Sequence, residues 1–435
     1  MKWFIYNVVF ALGYPLMAPY YLARMWRRGG YRRGFLERFA RYRPEVAAKL
    51  SGRRRVWVHA VSVGEMFVAL GLVERLRARR PDLAFVVSTT TSTGHRLAME
   101  RLHADDVLIY FPMDFPWIVR RALGRIRPLA FVLVETEVWP NLIRAVKRAG
   151  IPLALVNGRV SDASFRGYRR LRWFFGEALA CFDAILAQSA DDKRRYETIG
   201  ASPDRVRAIG SVKFDDAVAE ATSQAVDLLR GECGLAPNAV VFLGGSTWPG
   251  EDALLLSAFA RLRANRPDLR LILVPRHAER ADRVEREIRE AGFACRRRSA
   301  VRGKGSGDPL DAGTVLLVDT TGELKTFYAL ATVIFVGKSL TARGGQNMIE
   351  PAAIGKPVLV GPHTANFRSV VAEFKAADAM VEVPTGADLE KAVEGLLSDG
   401  AARNRYGTRA RRVVERNRGA FVRTLDRLVT LLPAP

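Results

Sequence analysis

The 435-residue chain is predicted to form two consecutive α/β domains, each a parallel, doubly wound sheet of the Rossmann-like kind. Three observations predict this. Short apolar runs recur along the chain, each separated from the next by a charged amphipathic segment of helix length. The runs are apolar at nearly every position, as strands buried on both faces require. The series comes twice, divided by a polar segment, and this length accommodates domains of roughly 100–200 residues. A cleft between the two halves is the expected architecture.

The first element is apolar. No side chain from Trp3 to Ala23 is charged, and a stretch of this length could span a bilayer. Pro15 and Pro19 interrupt it, so a kinked hairpin or a helix lying in one leaflet fits as well as a span. Arg24, Arg27, Arg28, Arg32 and Arg33 follow, a cluster that stays on the cytoplasmic side. Tyr14, Tyr20, Tyr21 and Trp26 suit a lipid–water interface. Residues 1–28 are therefore read as a membrane anchor, lacking the small-residue cleavage site of a removable signal.

Residues 29–216 form the first domain, with strands expected at 55–59, 84–88, 107–111, 130–135, 152–157 and 184–188 and a short one at 206–209. Residues 217–234 read as a helical linker. Residues 235–415 form the second domain, with strands at 239–243, 269–274, 315–318, 333–336, 357–360 and 379–383. The stretch 296–313, rich in Arg, Gly and Ser, reads as a mobile loop. From Gly400 onward the pattern is basic and helical, and 416–435 reads as a tail.

Composition narrows the function. The 68 Lys and Arg against 45 Asp and Glu leave a formal charge of +23, which favours an anionic partner: nucleic acid, a membrane surface or a phosphorylated substrate. The Arg-rich usage also fits a purely compositional origin. No zinc spacing, helix-turn-helix or aromatic-plus-basic pattern supports nucleic acid. Cys181, Cys233 and Cys295 are far apart and read as free thiols of a reducing compartment. The five histidines show no paired-ligand spacing, so no metal site is expected.

Candidate chemistry lies where strands end. Ligands of open α/β sheets bind outside the carboxyl ends of the strands. His59-Ala60-Val61-Ser62-Val63-Gly64-Glu65 joins a strand to a helix and offers Glu65 as a general base, although a first-turn glutamate also favours the helix dipole. Ser88 to Gly94 is a hydroxyl-rich loop that reads either as a ligand site or as an N-cap cluster. Glu135-Thr136-Glu137-Val138-Trp139-Pro140-Asn141 is poor strand or helix material and reads as a site, and Asn157 to Ser161 closes a strand in the same way. In the second half, Leu243-Gly244-Gly245-Ser246-Thr247 brings backbone amides close to a phosphate. Pro275-Arg276 ends a strand with a guanidinium suited to phosphate. Asp319 to Leu324 ends another. Gly344 to Ala352 sets a glycine pair before a helix carrying Asn347 and Glu350.

Taken together, HAVSVGE, ETEVWPN, GSVKFD, GGST, VPRHAER, TTGEL and GGQNMIEPAAIGKPVLVGP, in this order, resemble the 3-deoxy-D-manno-octulosonic acid (Kdo) transferases of lipopolysaccharide synthesis. The resemblance runs from the apolar segment to about residue 368. It implies a GT-B glycosyltransferase of the inner membrane, with its catalytic body on the cytoplasmic side. The first domain would take a lipid A precursor (lipid IVA) and the second CMP-Kdo. It implies Glu65 as catalytic base and Glu135 and Lys213 as supports of the transition state. It assigns Pro275, Arg276, Thr321, Gly322, Glu323, Asn347, Met348, Ile349 and Glu350 to CMP binding, with Ser246 near the phosphate. No metal or other cofactor is implied, and the partners are the donor, the acceptor and an anionic membrane surface, not nucleic acid. The chain departs from the family pattern at Trp248, where His is usual, at Pro249 to Asp252, and at Gln346, where His is usual. A related transferase using a variant Kdo donor or a UDP-sugar is the alternative.

Overall fold

The structure, a computed structural model, describes residues 2–28, 34–215, 221–305 and 307–434, with the side chains of the first helix described at 2–16, 18 and 19. The chain divides into two compact units, Met1–Val212 with Gly419–Pro435, and Lys213–Arg418.

The first unit holds seven parallel strands: β1 (Val56–His59), β2 (Phe85–Thr89), β3 (Val107–Tyr110), β4 (Ala130–Val134), β5 (Leu153–Gly158), β6 (Ala184–Ala187) and β7 (Val206–Ala208), in the order β3-β2-β1-β4-β5-β6-β7. In β1, Val56 and Val58 face one apolar core while Trp57 faces another. A strand with two dry faces is written mostly in apolar residues, which is why these runs stand out in the sequence. The register sets Val58 beside Val87 and Val132, so all carboxyl ends share one edge.

The second unit repeats the plan with β8 (Val240–Thr247), β9 (Leu269–Pro275), β10 (Ala294–Arg297), β11 (Thr314–Leu317), β12 (Val333–Val336), β13 (Val358–Val360) and β14 (Val381–Glu382), in the order β10-β11-β9-β8-β12-β13-β14. Here β8 runs on through Gly244, Gly245 and Ser246 to Thr247, because Gly245 pairs with Val274 on one side and Val336 on the other. A Cβ on Gly245 would lie 2.6 Å from the Tyr328 hydroxyl. The glycines let the strand pass a bulky neighbour rather than forming a loop.

Three expectations are corrected. The stretch 296–313 is not simply a loop: Ala294–Arg297 adds an edge strand beside β11, and Arg298, in the short helix Arg298–Val301, is buried. The end of the chain is not a tail: Ala420–Val429 is a helix whose Phe421, Leu425 and Leu428 join the first unit's core. Their helical spacing seals β1 and β4 among otherwise basic residues.

The third concerns the membrane anchor, of which the spanning form is overturned. Lys2–Arg28 is a single helix containing Pro15 and Pro19, and no described helix is long and apolar enough to cross a membrane. One face of it packs on the first unit: Trp3 and Tyr6 lie against Phe174, and Phe10 and Tyr14 against Phe115. Polar groups reinforce this contact. Tyr6 donates to Asp114 at 2.9 Å, and Asn141 donates to Asn7 at 2.7 Å. The side chains of Tyr20, Tyr21, Arg24, Trp26, Arg27 and Arg28, and all of Arg32 and Arg33, lie outside the described residues.

Candidate active site

Among the described residues, four that are not glycine adopt positive φ at or just beyond the carboxyl ends of strands: Glu135 (66°) after β4, Asn157 (53°) in β5, Ser246 (54°) in β8 and Lys338 (54°) after β12. Side chains resist this region, and such strain gathers at functional sites. Sequence reading had no means to see it, since none of the four is glycine.

In the first unit, Glu65 occupies the first turn of the helix Val63–Arg79. Ser62 caps that helix by accepting from the Glu65 N–H at 3.2 Å, and the Glu65 carboxylate reaches back to accept from Val61 N–H at 2.8 Å and Ser62 Oγ at 3.1 Å. This reciprocal arrangement is a capping box. Glu65 is also buried, so its desolvated carboxyl titrates above the usual range, pushed further by the Glu135 charge and restrained by the Val61 and Ser62 bonds. The hydroxyl-rich loop serves this motif: Thr91 and Thr89 donate to the Val61 carbonyl at 2.9 and 3.3 Å, and Thr91 caps the helix Ser92–Met99. Thr89 and Thr91 are thus engaged in holding the Glu65 loop.

Glu135 is fixed from two sides. Asn157 donates to Oε1 at 3.2 Å and Arg159 donates to Oε2 at 2.8 Å. Glu137, two residues on, is pushed up to about 7 by burial and by the Glu65 charge. Glu65 thus feels Glu135 and Glu137 feels Glu65, and among the described residues only Glu135 of the three has a guanidinium partner. Asn141 serves the fold. Its amide donates to the Asp114 carbonyl at 2.5 Å, while Asp114 accepts from Asn141 and Leu142 N–H at 2.9 and 2.8 Å, capping the helix Pro140–Arg148. Burial pushes the Asp114 carboxyl up to about 7. His59, also in the HAVSVGE stretch, is buried, stacks on Phe111 and is held neutral, its pKa lowered to about 3 by burial.

In the second unit the strand ends are knit by carboxylates. Buried Glu251 accepts from the N–H groups of Trp248, Lys338, Ser339 and Leu340 at 2.8, 2.8, 2.9 and 3.0 Å. Asp252 accepts from Thr247 Oγ1 at 2.5 Å and from Arg280 at 2.6 Å. These two acids, which in the sequence stand out only as a departure from the family pattern, fix the turn after β8. Arg276, exposed after β9, joins it through its N–H to the Thr247 carbonyl at 3.1 Å. Pro275 is the last residue of β9 and is buried.

The Gly344–Glu350 segment differs in detail from expectation. Its helix spans only Ile349–Ala353, so Asn347 precedes it. Asn347 still meets Glu350, donating at 3.1 Å, and accepts from Ile349 N–H at 3.1 Å. Glu350 is raised by burial, against the opposing charges of Lys325 and Arg276. The side chains of Met348 and Ile349 are in the core, leaving only their backbone for a ligand. Thr321 and Gly322 are exposed at a turn where Gly322 has φ 89°. Glu323 turns inward to buried Arg298 at 2.8 Å, and Arg298 also grips Glu232 at 2.5 Å. Burial alone would raise the Glu323 carboxyl, but Arg298 and Thr320 hold it below its usual range. Lys213 donates to the Asn366 carbonyl at 3.2 Å and lies 4.5 Å from the Phe367 ring centre. Among the described residues no group of three His, Cys, Asp or Glu side chains is arranged to hold a metal ion.

Comparison with known proteins assigns the family. Residues 33–216 match the family model described as 3-deoxy-D-manno-octulosonic-acid transferase (kdotransferase). The chain is 38% identical to 3-deoxy-D-manno-octulosonic acid transferase of Bordetella pertussis, over 97% of this chain and 98% of that one. It is 31% identical to the enzyme of the same name from Haemophilus influenzae, over 98% and 97%. Among solved structures, a glycosyltransferase from Rickettsia africae shares the fold with a TM-score of 0.58 at 12% identity, covering 87% of this chain and 99% of that one. The chain belongs to the 3-deoxy-D-manno-octulosonic acid transferase family of glycosyltransferases.

Proposed function

We propose that the protein transfers Kdo from CMP-Kdo to a lipid A precursor of the lipid IVA type, in lipopolysaccharide core synthesis, with inversion at the anomeric carbon and no metal ion. The observation that carries the mechanism is Glu65, a buried carboxylate at the carboxyl edge of β1 whose affinity for a proton is raised by burial and by Glu135. A carboxylate tuned upward in this way is a better general base. Glu65 removes the proton of a primary acceptor hydroxyl as that oxygen bonds to the anomeric carbon. The bond from this carbon to the phosphate oxygen breaks, and its electron pair leaves with CMP. Glu135, held by Arg159, is a fixed charge that keeps the base strong. Arg276 and Lys213 supply positive charge to the departing phosphate.

The same reading sets the protein against the cytoplasmic face of the inner membrane. Supporting it, the outer face of the first helix exposes Phe4 (71%), Ile5, Val8, Val9, Leu12 (68%) and Leu16 (82%), with exposed Trp117 and Trp173 on the unit it packs against. Apolar residues and tryptophans of this kind suit the lipid interface.

The test is incubation with a tetra-acylated, bis-phosphorylated lipid A precursor and CMP-Kdo, read by mass spectrometry of the lipid. A mass gain of one or more Kdo units that disappears in Glu65→Gln supports the proposal. No gain from a folded protein that binds CMP overturns the donor or acceptor assignment.

A further inference from the structure

Lys338 is a cation built into the ligand edge of the second sheet. It stands two residues beyond β12, in a backbone conformation (φ 54°) that a lysine adopts only when its surroundings impose it. Those surroundings are tight. Glu251 holds its N–H at 2.8 Å, and its carbonyl accepts from Gly345 N–H at 2.7 Å. A Cβ on the preceding Gly337 would lie 2.5 Å from the Ser246 carbonyl oxygen, so only a glycine permits this approach of β12 to β8.

The side chain is directed as well. Its ammonium lies 4.4 Å from the centre of the Trp248 ring, and a Cβ on Gly344 would come within 3.4 Å of its Cε. His277 meets the same Trp248 ring edge-on, with centres 5.4 Å apart. The ammonium thus lies by an aromatic face, with the end of its stem beside Gly344. An aromatic face steadies a cation without neutralising it. Among the described residues no carboxylate lies within ion-pair distance of it.

Strand order gives this charge a meaning. β8 lies between β9 and β12, so Arg276 and Lys338 flank the Ser246 turn on opposite sides. Neighbouring strands are about 4.8 Å apart. A nucleoside monophosphate linked to a neutral sugar offers one anion to this edge. A CMP-linked ulosonic acid offers two, its phosphate and its carboxylate, both carried by the anomeric carbon. We propose that Lys338, steadied on Trp248, binds the sugar carboxylate of the donor and selects an acidic sugar, while Arg276 serves the phosphate. This rests on the donor reading given above. Lys338 is a specificity-determining residue and takes no proton in the transfer.

The test compares CMP with CMP-Kdo on the full-length protein, by calorimetric Kd for both and KM for CMP-Kdo, in wild type, Lys338→Met and Lys338→Gly. Glycine is favoured at this φ, so Lys338→Gly removes the charge without straining the fold. Both variants are expected to bind CMP as wild type does and to bind CMP-Kdo about 10- to 100-fold more weakly, the loss typical of one charged hydrogen bond. Lys338→Arg should recover part of that loss. Equal weakening of CMP and CMP-Kdo would assign Lys338 to the phosphate and overturn the proposal, as would unchanged affinity for both. If wild type binds CMP and transfers Kdo while the variants match it, only this inference fails. If wild type binds neither ligand, the donor reading fails and this inference with it.

Discussion

The Arg159 guanidinium meets the Glu135 carboxylate at 2.8 Å, at the end of a strand where Glu135 already holds a left-handed backbone. This pairing separates the roles of two neighbouring acids. Glu135 is tied by a guanidinium, whereas Glu65 accepts from the Val61 N–H and the Ser62 hydroxyl. Glu65→Gln keeps an oxygen for Val61 N–H, so it is expected to fold normally and to lose about 10²–10⁴-fold in kcat. Arg159→Ala leaves a buried carboxylate unpaired and is expected to lose about 1–3 kcal/mol of stability, reduced because Arg159 is partly exposed. Urea unfolding beside single-turnover rates distinguishes the two, and normal kcat in Glu65→Gln removes that residue from the chemistry.

Glu137 predicts a pH effect. Its carboxyl is raised to about 7 by burial and by Glu65, so the two acids titrate as a coupled pair. The second proton leaves against an existing negative charge. Glu137→Gln removes that charge, and the acid limb of the kcat/KM profile is expected to move to lower pH. An unmoved limb would mean that Glu137 does not tune the base.

Asp114 predicts a pH dependence of stability. Its folded pKa of about 7 lies above the ordinary aspartate value of 3.8, so between these values the folded state holds a proton that the unfolded state has released. This contribution to stability is complete below about pH 4 and fades as pH rises through 7. The difference in Tm between wild type and Asp114→Leu, which removes the titrating group, should therefore vary across pH 5–8. A constant difference across that range would show that Asp114 does not titrate there. Apart from its pH dependence, Asp114→Leu also loses the cap on Pro140–Arg148 and the bond from Tyr6.

Arg298 links the helix Ser223–Glu232 to the TTGEL turn through Glu232 and Glu323. Arg298→Ala removes the buried cation that Glu232 and Glu323 share and is expected to lose about 3–5 kcal/mol. If the turn holds CMP, Arg298→Lys, which keeps a charge but cannot fork between both acids, should retain the fold and weaken CMP binding. Thermal melts and CMP titrations of that variant check this.

The first helix predicts lipid binding. Leu12→Glu with Leu16→Glu puts two charges on its exposed face. In flotation assays the wild type is expected to rise with vesicles containing anionic lipid, and the double variant to stay behind. Equal flotation of both would assign lipid binding to another surface.

Much of this was legible in the sequence, for identifiable reasons. Strands such as Val56–His59 are buried on both faces and are therefore written mostly in apolar residues. β10 was missed because it is an edge strand written Ala-Cys-Arg-Arg, with Arg297 paired to Asp282 at 2.6 Å rather than packed. Ser62 and Glu65 stand three apart, a spacing that announces a capping box, yet the burial that tunes Glu65 depends on residues far along the chain. Asp114 sits in Met113-Asp114-Phe115, without periodicity, and its partners Tyr6 and Asn141 are distant in sequence. Lys338 gave no signal, because a left-handed backbone under a lysine is imposed entirely by tertiary neighbours.

The return of the chain at Gly419 orders its folding in time. The second unit is contiguous in sequence, so a growing chain emerging from the ribosome has all of Lys213–Arg418 before the helix Ala420–Val429 exists. The first unit begins earlier but waits for Phe421, Leu425 and Leu428 to seal its core. During synthesis it is therefore the later of the two to be completed, and until then part of its core stands open to chaperones.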